Sequence, residues 1–284
     1  MTTNVLACID GSSHATAVCD WACWASQRLA APLSFIHVLD KARQPGLADL
    51  SGSIGLGSQE HLLEELAELD EKRGKLAREQ GRIMLAAARE RAIDDGVAEP
   101  ATLQRHGGLV DTLVALEPDT RLLVLGRHGE ESASVYAHLG SHVEQVIRAL
   151  HRPILVTQGE FKAPQRIMLA FDGSATTRKG VEMLAKSPLF SGLELHLVLV
   201  GADTDDNREQ INWAQNTLAQ AGIQAHAAIV PGEVDKALPQ YQQDNGIDLM
   251  VMGAYGHSRI RQLLVGSTTT AMIRSARVPL LVLR

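Results

Sequence analysis

The chain has 284 residues, room for two domains of ordinary size, and its 45% hydrophobic and 21% charged side chains describe an ordinary globular composition. A formal net charge of −6 with only 4% aromatic residues speaks against nucleic acid as a partner, which calls for a basic face or a base-stacking platform. No apolar run approaches bilayer length and no charged-then-apolar leader opens the chain, so no membrane partner is expected and the expected address is cytoplasmic.

In chain order, Asn4 to Ile9 is an apolar run ending in Asp10-Gly11-Ser12. It reads as a buried strand whose Ser caps the helical pattern from Ala15 to Leu29. Cys8, Cys19 and Cys23 are an odd, clustered set and no disulfide framework. Cys19 and Cys23 share a face of the predicted helix, and with no further ligands at zinc-site spacing they read as small core residues. Leu33 to Val38 is a second strand. Gln44 to Ser58, rich in Gly, Ser and Leu, reads as a flexible loop. Gln59 to Asp95 reads as a long helix or a broken helical pair, with Leu62, Leu66, Leu69, Leu76 and Ile83 roughly in heptad phase and Gly74 and Gly81 weakening it. That stripe reads as intramolecular core or a dimer seam, not a cofactor site. Leu122 to Gly126 and Arg152 to Val156 are further strands, and Gly159 to Pro164 suits a linker.

The second half repeats the first. Arg166-Ile167-Met168-Leu169-Ala170-Phe171-Asp172-Gly173-Ser174 answers Asn4 to Ser12, Leu193 to Val198 is matched to Leu33 to Val38, and Val278-Pro279-Leu280-Leu281-Val282 answers Arg152 to Val156. A helix is expected from Thr176 to Lys186. Short apolar runs alternating with helical patterns predict a doubly wound, Rossmann-like α/β fold in each half, a parallel sheet with helices on both faces. Asp172 stands at a strand's carboxyl end, where such sheets bind ligands. Its other reading is a cap for the following helix.

Leu249 to Met252 is an apolar strand ended by Gly253. The pattern Gly253-x2-Gly256-x9-Gly266-Ser267, followed by Thr268 and Thr269, then opens a helix. Glycines let the backbone approach a ligand closely, and a helix N-terminus with hydroxyls offers donors to phosphate. The plainer alternative is an ordinary strand–loop–helix connection. With Asp-Gly-Ser after the first strand and Pro-[IL]-Leu-Val at the last, the pattern resembles the universal stress protein family, twice over nearly the whole chain. The resemblance implies a five-stranded parallel sheet per domain, residues 1–158 and 164–284, the first with a helical insertion at about 43–95. It implies an internal pseudo-dimer joined through the strands at Ile154 and Leu280. It carries Asp172 and Val198 to the adenosine end of ATP, and Gly253, Gly256, Gly266, Ser267 and Thr268, with Thr269, to the ribose and phosphates, with Mg²⁺ riding on the phosphates.

In the first half ten residues separate Gly129 from Gly140, Glu130 and Glu131 add charge that repels phosphate, and His142 and Val143 stand where the second half has Thr268 and Thr269. That nucleotide loop reads as degenerate. No Walker, G-x-G-x-x-G or G-x-S-x-G motif occurs, the eleven histidines form no spaced pair with acidic ligands, and no general base for water attack stands out. The expected function is an ATP-binding stress-response regulator whose second half holds the nucleotide. The alternatives are a protein-interaction scaffold with incidental nucleotide, and a slow ATPase, autophosphorylating enzyme or hydrolase of the wider adenine-nucleotide α-hydrolase-like superfamily. An unknown protein partner and a homodimer made through the insertion complete the expectation.

Overall fold

The computed structural model describes residues 3–39, 56–127, 141–254 and 267–284. The described part of the first half runs β1 (Asn4–Cys8), α1 (Ala15–Leu29), β2 (Leu33–Leu39), α2 (Leu56–Asp94), β3 (Ala101–His106), α3 (Leu109–Leu116), β4 (Thr120–Gly126), α4 (Ser141–Ala149) and β5 (Ile154–Thr157). The second runs β6 (Arg166–Phe171), α5 (Ala175–Lys186), β7 (Glu194–Val200), α6 (Asp205–Gln220), β8 (Ala225–Val230), α7 (Val234–Asp244), β9 (Leu249–Gly253), α8 (Ser267–Ser275) and β10 (Leu280–Leu283). The two halves do not form separate sheets. They merge into one ten-stranded sheet of order β3-β2-β1-β4-β5-β10-β9-β6-β7-β8.

Every neighbouring pair is parallel except the central one. There β5 and β10 run antiparallel, with Leu280 opposite Val156, Leu281 opposite Leu155 and Val282 opposite Ile154. The apolar edge that Pro-[IL]-Leu-Val leaves on each half is thereby paired, which removes an exposed sheet edge. All eight residues of β5 and β10 are buried, as expected of central strands covered on both faces. One core layer holds Trp21, Leu85, Val181 and Ile211 from α1, α2, α5 and α6, and the other holds Leu113, Val146, Leu238 and Met272 from α3, α4, α7 and α8.

The seam is also tied by side chains. Arg127 donates to the Ala276 carbonyl at 2.9 Å, Arg284 to the Leu150 and Arg148 carbonyls at 2.6 and 2.9 Å, and Arg28 to the Leu189 carbonyl at 3.2 Å. The middle of the linker is held to both halves, by Phe161 edge-on to Trp21 at 5.0 Å and by Lys162 paired with Asp248 at 3.1 Å.

The predicted insertion is a single 39-residue helix rather than a broken pair. It begins at Leu56, inside the stretch expected to be loop. Gly81 does not break it because it serves packing: a Cβ there would overlap Gln104 Nε2 and stand 2.5 Å from His37 Cδ2. The glycine lets α2 lie close on β2 and β3, and Leu85, Ala88 and Ala92 continue that buried face.

The strand matching of the two halves also changes. Val5 pairs with Leu33, and its repeat mate Ile167 pairs with Leu195, so Leu33 corresponds to Leu195, not Leu193. A two-residue shift keeps every side chain on its face, so apolar patterning alone does not fix it.

Candidate functional site

Adjacent strands β6 and β9 send their chains to opposite faces of the sheet, β6 into α5 and β9 toward α8. Between such strands a crevice opens at the carboxyl edge. The register Ala170 beside Met252 continues to Phe171 beside Gly253, which brings Asp172 to the rim next to Ala254.

Asp172 is exposed, and its Oδ1 accepts from the Ser174 backbone N–H at 3.0 Å and from the Thr177 hydroxyl at 2.7 Å. Ser174 in turn caps α5, its Oγ accepting from the Thr177 N–H at 3.3 Å. The carboxylate therefore does the capping work foreseen for it, by one oxygen. Gly173 supplies the turn with φ of +71°, a region open to glycine at little cost, and a Cβ there would collide with Gln210 Oε1.

A cleft of about 390 Å³ lies beside this turn, lined by Asp172, Gly173, Arg178, Asp206, Glu209, Gln210 and Trp213. The Arg178 guanidinium sits 4.5 Å over the Trp213 ring. With three carboxylates against one cation, this side of the crevice repels phosphate. The opposite side offers the contrary field: α8 starts at Ser267, has no acidic residue in its first turn and carries Arg274 in its last. Its N-terminal N–H groups and positive dipole end favour an anion.

Gly253 ends β9, and a Cβ on it would meet Thr176 Cγ2 at 3.2 Å and Thr177 Cγ2 at 3.4 Å. Its missing side chain thus makes room for the start of α5, a packing role that the loop pattern did not disclose. Gly256 and Gly266 lie outside the described residues, as do Gly129 to Gly140 of the first half. Ser267, Thr268 and Thr269 form the first turn of α8.

Val198 is not brought to the rim. It is 1% exposed in the interior of β7, paired with Ala170 and Ala228, two residues short of the strand's end. The residue on the same face at the end of β7 is Val200, partly buried and beside Asp172. The first half repeats this: β1 and β2 in register at Cys8 and Ile36 bring Val38 beside Asp10. The signal available in the sequence was the distance from the strand's end, which the matching of Leu193–Val198 to Leu33–Val38 by apolar pattern obscured.

The histidines were expected to be scattered, yet two of them meet near the amino-terminal ends of β7 and β8. His196 and His226 face each other across β7 and β8, and both lie near Glu194 Oε1, at 3.2 and 3.6 Å. His196 also bonds the Tyr241 hydroxyl at 2.9 Å, and Arg166 pairs with Glu194 at 2.9 Å. Hydrogen bonds from Arg166 first and His196 second hold the Glu194 carboxyl below its usual range. This cluster is at the wrong edge to serve the crevice. Among the described residues no group of three or more His, Cys, Asp or Glu is arranged to hold a metal ion. Cys19 and Cys23 are buried core residues, and burial pushes both thiols up to about 12, leaving them inert.

Among the described residues no helix is long and apolar enough to cross a membrane. The model of the universal stress protein family matches the chain twice, over residues 1–158 and 164–284. Universal stress protein Slr1230 from Synechocystis sp. is 36% identical over 285 residues, covering 99% of each chain. Among solved structures, a universal stress protein from Archaeoglobus fulgidus aligns with a TM-score of 0.74 at 18% identity, covering 100% of this chain and 99% of that one. A protein from Pseudomonas aeruginosa PAO1 aligns with a TM-score of 0.63 at 15% identity, covering 99% and 92%. These two likenesses speak for the fold alone. The repeated strand order and the double match carry one conclusion: the chain belongs to the universal stress protein family, with two copies of the family's domain in tandem.

Proposed function

We propose that the chain is a cytoplasmic stress-response regulator that holds ATP, with Mg²⁺ on the phosphates, in the domain spanning residues 164–284. The observation that carries the reading is the convergence of one glycine pattern with one crevice. Gly253-x2-Gly256-x9-Gly266-Ser267 begins at the carboxyl end of β9, beside the end of β6, and leads into the N-terminus of α8. In this reading Asp172 and Val200, replacing the buried Val198, border the adenosine. Gly253, Gly256, Gly266, Ser267 and Thr268, with Thr269, border the ribose and phosphates. The phosphates turn toward α8 because the α5–α6 side is acidic. The domain of residues 1–158, with Glu130 and Glu131 in its loop, binds no nucleotide.

Calorimetric titration with ATP and Mg²⁺ gives one site per chain, and mass spectrometry of small molecules released from fresh protein finds adenine nucleotide. Gly256→Val abolishes binding with the melting temperature retained, since a branched side chain fills space kept for ligand. Two sites of similar affinity, or normal binding by the variant, would overturn the proposal. A second reading, a protein-interaction scaffold, is favoured by the apolar stripe that α2 exposes at Leu69, Leu76 and Ile83; an empty and unresponsive nucleotide site would select it.

A further inference from the structure

The outer face of α2 has a pattern that its own fold does not use. Its inner face, Gly81, Leu85, Ala88 and Ala92, is buried on the sheet. Leu69, Leu76 and Ile83 point away and are 47%, 71% and 56% exposed. They recur every seven residues, so at 3.6 residues per turn they form one stripe. Leu69 lies about 24 Å along the helix from Leu85, well beyond the anchored end.

The charges along the same helix are divided. Glu60, Glu64, Glu65, Glu68, Asp70 and Glu71 precede the reversal, with no Lys or Arg from residue 59 to 71. Lys72, Arg73, Lys75, Arg78 and Arg82 follow it, with Glu79 alone opposing them up to Arg82. The sign changes between Glu71 and Lys72. The midpoint between Leu69 and Leu76 falls between Lys72 and Arg73, so this pair of leucines and the charge reversal share a centre to within one residue, with Ile83 lying on the basic side.

We propose that α2 pairs antiparallel with α2 of a second copy of this chain, about a two-fold axis near Lys72. A two-fold contact is self-complementary, and a helix acidic on one side of its centre and basic on the other satisfies that only antiparallel. Each acidic arm then meets the partner's basic arm twice over, while Leu69 of one copy approaches Leu76 of the other. Parallel pairing would set acid against acid and is disfavoured. The charges do not resist this. Glu68–Lys72 at 3.7 Å and Glu71–Lys75 at 2.7 Å are exposed pairs within the helix, and such pairs contribute little where they stand.

Sedimentation of the full chain tests it. The wild type sediments as a dimer, and Leu69→Asp/Leu76→Asp raises the dissociation constant at least tenfold with the melting temperature unchanged, because both side chains are exposed in the monomer. Orientation is read by oxidative cross-linking: mixed Leu69→Cys and Leu76→Cys chains join across variants faster than either joins to itself. A monomeric wild type, a dimer indifferent to the double substitution, or preferential like-with-like cross-linking each overturns the proposal, the last in favour of a parallel pair.

Discussion

The β5–β10 seam can be tested by a double-mutant cycle on Leu155 and Leu281. The two are directly opposed, face the same core layer and are each 1% exposed. Truncating either to Ala removes three buried carbons, about 2.4 kcal/mol at roughly 0.8 kcal/mol each, and residual cavity raises this to about 3 kcal/mol. The two cavities adjoin, so the second truncation removes fewer surviving contacts than the first. The double variant should lose about 5 kcal/mol rather than about 6, a coupling of about 1 kcal/mol within the range for residues in contact. Urea unfolding supplies the energies. Tryptophan fluorescence localises them, since Trp21 and Trp24 report on the first half and Trp213 on the second. In single-region tryptophan variants both signals should shift to the same lower midpoint, because the seam strands belong to both halves. Additivity within about 0.3 kcal/mol, or a shift confined to one half, would refute the pairing.

Two further outcomes follow from packing. Gly81→Ala should destabilise the chain although alanine favours helix by about 1 kcal/mol, since the new Cβ meets Gln104 and His37; thermal melting checks this, and a raised melting temperature would show that α2 sits off the sheet. Asp248 is opposed by burial, but the Gln165 and Arg166 N–H groups at 2.9 and 3.1 Å and Lys162 prevail and hold its carboxyl below its usual value. A depressed folded pKa gives stability that is present above the unfolded value and is lost as pH falls through the folded one. Asp248→Ala should therefore cost about 1–3 kcal/mol at pH 7 and progressively less below about pH 4, and a pH-independent difference in urea midpoints would exclude this linkage.

Much of this architecture was legible in the sequence because it depends on local pattern. The helix predicted from Ala15 to Leu29 has those bounds, and four strands of each half follow from apolar runs, whereas the edge strands β3 and β8, exposed or half-buried throughout and without a long apolar run, were not located. What escaped depends on contacts remote in the chain. Nothing in β7 itself shows that Leu195, not Leu193, stands against Ile167, so Val198 was set two residues too near the rim. Gly81 reads as a helix breaker until His37 and Gln104 are seen beside it. Gly253 shows no packing role until Thr176 is seen against it. His196 and His226, thirty residues apart, become neighbours only through the β7–β8 register. The direction of β5 against β10 was likewise hidden, since an apolar edge strand pairs equally well either way by composition.

That direction bears on whether the two proposed sites communicate. Because the seam is antiparallel, the carboxyl ends of β1 and β4 point to one edge of the sheet and those of β6 and β9 to the other. The helix α2 lies over β2 and β3, and the crevice proposed for nucleotide lies between β9 and β6. At about 4.8 Å per strand, β2 is five to six strand spacings, or roughly 26 Å, from that crevice. The intervening strands are close-packed and buried on both faces, and coupling would require a second arrangement of them with which a ligand makes differential contact. Binding and assembly should then be independent. Reciprocity makes the test symmetrical: saturating ATP and Mg²⁺ should change the dimer dissociation constant less than twofold, and Leu69→Asp/Leu76→Asp should leave ATP affinity equally unmoved. A tenfold shift in either measurement would mean that the sheet has two states or that the nucleotide reaches α2 by another route.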